Sequence, residues 1–124
     1  MLRIFLADDS ELIRSRLRRM LSEVPRVRLV GEAATAQEAR EKIPEARPDV
    51  VILDFHMPGG SCLEVLHYVK SFHPEILAVI LTNDPSPQSR RAGLEARADR
   101  FFDKSLEFEK IAELLREVSE AQPL

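Results

Sequence analysis

The chain has 124 residues, 44% of them hydrophobic, enough for one domain with a buried core and too few for two. Its 18 basic and 21 acidic side chains leave a formal net charge of −3, so no strong global field favours nucleic acid or an anionic membrane. The apolar runs at 50–53 and 76–81 are far too short to span a bilayer, and the N-terminus reaches Asp8 too soon for a signal peptide. The cytoplasm is the expected location, with no membrane insertion.

Taken in order, Leu2, Ile4, Phe5 and Leu6 predict a first strand that ends at Ala7 and runs into Asp8-Asp9-Ser10. Leu12, Ile13, Leu17, Met20, Leu21 and Val24 recur every three to four residues, predicting an amphipathic helix over 10–23 that Pro25 ends. Arg14, Arg16, Arg18 and Arg19 fall on its outer face, where a solvated surface and a partner-docking surface are both readings. Val27, Leu29 and Val30 predict a shorter strand closing at Gly31. Thr35 with Glu38 is a capping-box pair opening a second helix, bracketed by Pro44 and Pro48.

Val50-Val51-Ile52-Leu53 reads as a strand buried on both faces that delivers Asp54 to its tip. Met57-Pro58-Gly59-Gly60 then stops it and leaves room near the backbone. Ser61 begins a third helix with Leu63, Val65, Leu66, Val69 and Phe72 on one side, ended by His73-Pro74. The lone cysteine, Cys62, excludes an internal disulfide and reads as a packed thiol rather than a nucleophile. His67 and His73 lack matching ligands and read as surface residues.

A fourth apolar strand, 76–81, carries Thr82-Asn83-Asp84 at its tip. Ser86-Pro87 is an N-cap followed by a first-turn proline, opening a fourth helix that is weakly apolar and interrupted by Gly93, hence the least stable. Arg100-Phe101-Phe102 is a brief fifth strand before Asp103-Lys104. Phe108, Ile111, Ala112, Leu115 and Val118 form the stripe of a last helix, with Ser105 as the expected cap.

Five strands alternating with five helices predict an α/β fold with a parallel sheet covered on both faces. Ligands bind such sheets beyond the carboxyl ends of the strands, where strand order reverses, as in the order 2-1-3-4-5. Asp8, Asp9, Asp54, Thr82 and Lys104 all lie at those ends. Three close carboxylates repel unless a cation compensates. A hard divalent cation such as Mg²⁺, with Lys104 and Thr82 as phosphate partners and Asp54 as nucleophile, makes phosphoryl transfer the expected chemistry.

With those residues in place, the chain resembles the receiver domain of two-component response regulators over residues 1–124. Asp8-Asp9, Asp54 with Met57-Pro58, Thr82, Phe101 and Lys104 carry the resemblance. It implies a flavodoxin-like, doubly wound, five-stranded parallel sheet in the order 2-1-3-4-5, flanked by five helices. By resemblance, Asp54 accepts a phosphoryl group from a phosphohistidine on a sensor histidine kinase or histidine phosphotransfer protein. Asp9, Asp54 and the His56 backbone carbonyl would bind Mg²⁺, and Asp8 would act largely through a metal-bound water. Thr82 and Lys104 would hold the phosphoryl oxygens.

Thr82 and Phe101 would form the switch, read out by a downstream protein at the face of the fourth helix, fifth strand and fifth helix. Phe101 lacks a hydroxyl, so that signal would pass through packing alone. Ending at Leu124, the chain is expected to be a stand-alone receiver that catalyses only its own phosphoryl transfer and autodephosphorylation. Direct nucleic-acid contact is not expected, and homodimerisation is left open.

Four residues depart from the family pattern: Cys62 and Arg97 replace glycines, Asn83 replaces a smaller residue, and Ser105 stands where many receivers have a cis proline. His56 and Asp84 match positions that tune phosphate lifetime in the family. A phosphohydrolase of the haloacid dehalogenase type would need Asp-x-Asp after the first strand, and Asp8-Asp9-Ser10 has the wrong spacing; two other readings compete. Asp54-Phe55-His56-Met57-Pro58-Gly59 satisfies the Asp-x-His-x-x-Gly pattern of cobalamin-binding modules, which carry it after their first strand. An adaptor with the same fold, binding its partner independently of phosphorylation, is the second.

Overall fold

The computed structural model describes residues 1–83 and 86–121. Five strands alternate with five helices: β1 (Leu2–Ala7), α1 (Glu11–Ser22), β2 (Val27–Ala33), α2 (Ala36–Ala46), β3 (Val50–Asp54), α3 (Cys62–Phe72), β4 (Leu77–Thr82), α4 (Pro87–Glu95), β5 (Arg100–Asp103) and α5 (Phe108–Ala121). All strand pairs are parallel, in the order β2-β1-β3-β4-β5. The expected flavodoxin-like architecture is therefore present. Among the described residues, no helix is long and apolar enough to cross a membrane.

Side chains alternate across a strand, so each apolar run feeds two cores. Phe5, Val51, Leu53, Ala78 and Ile80 pack under α2 and α3, with Ile43, Val65, Leu66 and Val69. Ile4, Leu6, Val50, Ile52, Val79 and Leu81 pack on the other face with Leu17 and Leu21 of α1 and Ile111 and Leu115 of α5. Helix α4 has little apolar surface to bury. It approaches through Gly93, where an added Cβ would stand 3.0 Å from Ile80 and 3.1 Å from Phe101.

Several local expectations are corrected. Strand β2 does not stop at Gly31 but runs to Ala33, because its register shifts between Ile4 and Phe5 and Ala7 then pairs with Ala33. Pro44 lies inside α2, which ends only at Arg47 in a left-handed conformation. Arg3 satisfies the carbonyls freed there, donating to Ala46 and Arg47.

Leu12 and Phe72 leave the apolar stripes and face solvent, each 71% exposed. Phe72 packs instead on the ring of Tyr68. Lys70 in that turn is buried despite its charge, drawn in by Asp99 at 2.6 Å and by the Ile76 carbonyl. Ser105 does not cap α5: Asp103 Oδ1 accepts from the Ser105 and Leu106 N–H groups, and Glu107 Oε1 accepts from Asp103 N–H. No described peptide bond is cis, including the one before Ser105.

Arg97, which stands where the family pattern has glycine, has φ 70° at the exit from α4. Its N–H donates to Leu94 and that of Ala98 to Gly93, closing the helix end. The left-handed region costs a residue with a Cβ roughly 1–2 kcal/mol, and the Arg97 side chain is exposed. Arg97→Gly is therefore expected to raise the unfolding free energy by about 1 kcal/mol, after allowing for the greater entropy of unfolded glycine. Urea denaturation checks this, and an unchanged or lower midpoint at equal slope would contradict it.

Candidate functional site

Adjacent parallel strands place their carboxyl ends side by side, and the register decides which residues leave the ladder together. Ala7 pairs with Leu53, Asp54 with Leu81, and Thr82 with Asp103. One step further, Asp8 and Lys104 join Asp54 and Thr82 at one end of the sheet. Asp8, Asp54, Thr82 and Lys104 are all buried, whereas Asp9 is exposed at the rim. A hollow of about 860 Å³, lined in part by Arg47, Asp49 and His73, contains none of these residues.

Lys104 Nζ stands 2.6 Å from Asp8 Oδ2 and 3.1 Å from Asp54 Oδ1. The remaining bonds hold the carboxylates in place. Asp8 Oδ1 accepts from Ser10 N–H at 2.9 Å, and Ser10 in turn caps α1. Asp54 Oδ1 accepts from His56 N–H at 3.2 Å. Asp8 Oδ2, by contrast, is buried and has charge contact with Lys104 but no aligned hydrogen bond among the described residues.

One lysine does not neutralise this cluster. Burial pushes the Asp54 carboxyl up to about 6, and the negative charge of Asp8 adds to the rise; Lys104 and the His56 N–H oppose it. Carboxylate oxygens of Asp8, Asp9 and Asp54 lie within 4.8 Å of one another. Hard oxygens, surplus negative charge and an open side at Asp9 fit a hard divalent cation. Cys62 beside them is no rival nucleophile, since burial, with a smaller push from Asp54, drives its thiol up to about 12.

The loop after β3 is fixed by α2. Its carbonyls at Pro58 and Gly59 accept from the Ala36 and Gln37 N–H groups, first-turn donors with no partner inside their own helix. Gly59 has φ 75°, and a Cβ there would sit 3.0 Å from Thr35, so glycine suits both the turn and the approach. Thr35 also caps α2, accepting from Glu38 N–H. Only the Thr35 half of the capping box read from the sequence is present, since Glu38 Oε1 accepts from Ala34 N–H rather than from Thr35 N–H.

Phe101 is already buried, with an edge-on contact to Phe55 at 6.2 Å and the Arg90 guanidinium 4.9 Å above its ring. Thr82 is fully buried, and its carbonyl accepts from Lys104 N–H at 2.8 Å. Asn83 is exposed; Asp84 lies outside the described residues.

The basic face expected on α1 is only partly present. Arg16 and Arg19 remain exposed, but Arg18 pairs with Glu11 and Glu32, and Arg14 turns inward to Glu11, Glu32 and the Asp8 carbonyl. Glu11 lies one turn from Arg14 on α1, whereas Glu32 comes from β2, so the inward turn of Arg14 depends on the assembled sheet.

Residues 4–116 match the family model described as response regulator receiver domain. The DNA-binding transcriptional activator DevR/DosR of Mycobacterium tuberculosis is 32% identical over all of this chain and 57% of its own length. A protein-glutamate methylesterase/protein-glutamine glutaminase of Carboxydothermus hydrogenoformans is 36% identical over 93% of the chain and 34% of its own. The chain thus spans little more than half of the first relative and about a third of the second.

Among solved structures, the signal receiver domain of NarL from Mycobacterium tuberculosis superposes with a TM-score of 0.87 at 27% identity, covering 98% of each chain. The same sheet order, expected from the sequence and found in the structure, is thus accompanied by sequence similarity over nearly the whole length. The chain belongs to the family of response regulator receiver domains of two-component systems.

Proposed function

We propose that residues 1–124 form a phosphoacceptor receiver in which Asp54 takes a phosphoryl group from the phosphohistidine of a sensor kinase or phosphotransfer protein. The observation that carries this reading is the buried contact of Lys104 with both Asp8 and Asp54 at the strand ends, beside exposed Asp9. An Asp54 oxygen forms the new bond to phosphorus as the bond from phosphorus to the histidine nitrogen breaks, and the electron pair leaves on the imidazole. The chain's own task is alignment and charge neutralisation.

Asp9, Asp54 and the His56 carbonyl would hold Mg²⁺, with Asp8 acting largely through a bound water. When bound, the ion would neutralise charge on the transferring phosphoryl oxygens. Lys104 then moves from pairing carboxylates to pairing a phosphoryl oxygen, and Thr82 donates its hydroxyl to another. The output is a change of partner at the α4–β5–α5 face, reached by repacking Thr82 and Phe101. Beyond this self-modification and its hydrolysis, no catalytic activity is assigned. A cytoplasmic location and protein partners, rather than direct nucleic-acid contact, follow from the same reading; homodimerisation remains one form that a change of partner could take.

Acetyl phosphate with Mg²⁺ is expected to add one phosphoryl group to the wild-type chain and none to Asp54→Asn, read by intact mass. No gain on the wild type with a competent donor would move the reading to a phosphorylation-independent adaptor.

A second expectation follows from the raised Asp54 carboxyl. Between its ordinary value of 3.8 and about 6, the folded protein holds a proton that the unfolded chain has released, so stability falls as pH rises through that window. Asp54→Asn should therefore raise Tm in EDTA at pH 7.5, and the advantage should narrow at pH 4.5. Thermal melts at both values check the sign.

A further inference from the structure

Arg14 is unlike the other arginines of α1. Its side chain is only 15% exposed, and its guanidinium meets three oxygens from three parts of the chain: Glu11 one turn before it, Glu32 on β2, and the main-chain carbonyl of Asp8. That carbonyl belongs to the peptide plane from which Asp9 departs. Asp8 N–H is already held by the Ala33 carbonyl at 3.0 Å, and Asp8 Oδ1 by Ser10 N–H. The Arg14 bond fixes the remaining side of the same residue.

We propose that Arg14 is a positioning residue for the divalent cation, locking the Asp8–Asp9 peptide so that the Asp9 carboxylate is aimed at Asp54. The proposal rests on the cation-assisted phosphoacceptor reading above. A planar guanidinium suits the role because its donors fan out in one rigid fork, which an ammonium cannot reproduce. Glu11 and Glu32 hold the fork at its outer side while Arg18, bonded to the same two carboxylates, completes the ionic cluster. Arg18 is bonded to Glu11 and Glu32 rather than to Asp8, which separates positioning from the general effect of the cluster.

The sign of the effect distinguishes positioning from charge. Removing a positive side chain near a cation site should tighten Mg²⁺ binding by Coulomb's law alone. Loss of positioning should weaken it, by roughly 10–100-fold if the bond acts as other partners that orient metal ligands do. Calorimetric Mg²⁺ titrations of wild type, Arg14→Met and Arg18→Ala compare the two, with Tm in EDTA confirming that each is folded. Arg14→Met keeps an apolar stem without donors.

The expected result is weaker Mg²⁺ binding in Arg14→Met and wild-type or slightly tighter binding in Arg18→Ala. Unchanged or tighter binding in folded Arg14→Met overturns the proposal, as does an equal loss in Arg18→Ala. If Arg14→Met does not fold, Arg14→Lys replaces it: charge is kept and the fork lost, so weaker binding supports the proposal and wild-type affinity overturns it. A wild type that binds no Mg²⁺ removes both this proposal and the reading on which it rests, whereas a failure confined to the variants removes this proposal alone.

Discussion

The candidate site is organised around the buried contact between Lys104 and the carboxylates of Asp8 and Asp54. Like charges at this spacing, away from water, oppose folding, and one ammonium offsets only part of that cost. The raised Asp54 carboxyl records the remainder. A site left short of positive charge fits a hard divalent cation.

Holding such a cluster requires a rigid frame, and the two-faced sheet supplies it. Alternate residues of β1, β3 and β4 point into separate cores, so the strand ends are fixed from above and below. The loops are then tied individually: Ser10 holds Asp8, the first turn of α2 holds the loop after β3, and Asp103 with Glu107 holds the turn after Lys104. Helix α4 is attached differently, through Gly93 and the Arg90–Phe101 contact. Its small apolar surface makes it the helix best suited to shift against a stable frame.

Periodicity predicted the apolar stripes of α1 and α3 but not their limits. Leu12 and Phe72 satisfy a spacing rule, yet a residue is buried only if another element covers it. Lys70 breaks the rule in the opposite direction, because Asp99 from the β5 side makes a buried ammonium tolerable. Arg14 shows the same limitation at the site. Its spacing put it on the outer face of α1, but Glu32 and the Asp8 carbonyl, brought within reach by the assembled sheet, turn the side chain inward.

The sequence by itself determined the order of strands and helices, the two-faced burial of the central strands, the placement of Asp54 and Thr82 at strand ends, and the Thr35 cap of α2. These follow from interactions among near neighbours in the chain, where side-chain period, proline and capping residues suffice. Tertiary structure alone decided that Lys104 pairs with Asp8 and Asp54, that Phe101 already lies between Phe55 and Arg90, and that Arg14 reaches the acidic loop. Each of these joins residues from different elements, and their separation and burial are set only when parallel strands come into register. That register turns scattered charges into one electrostatically coupled site.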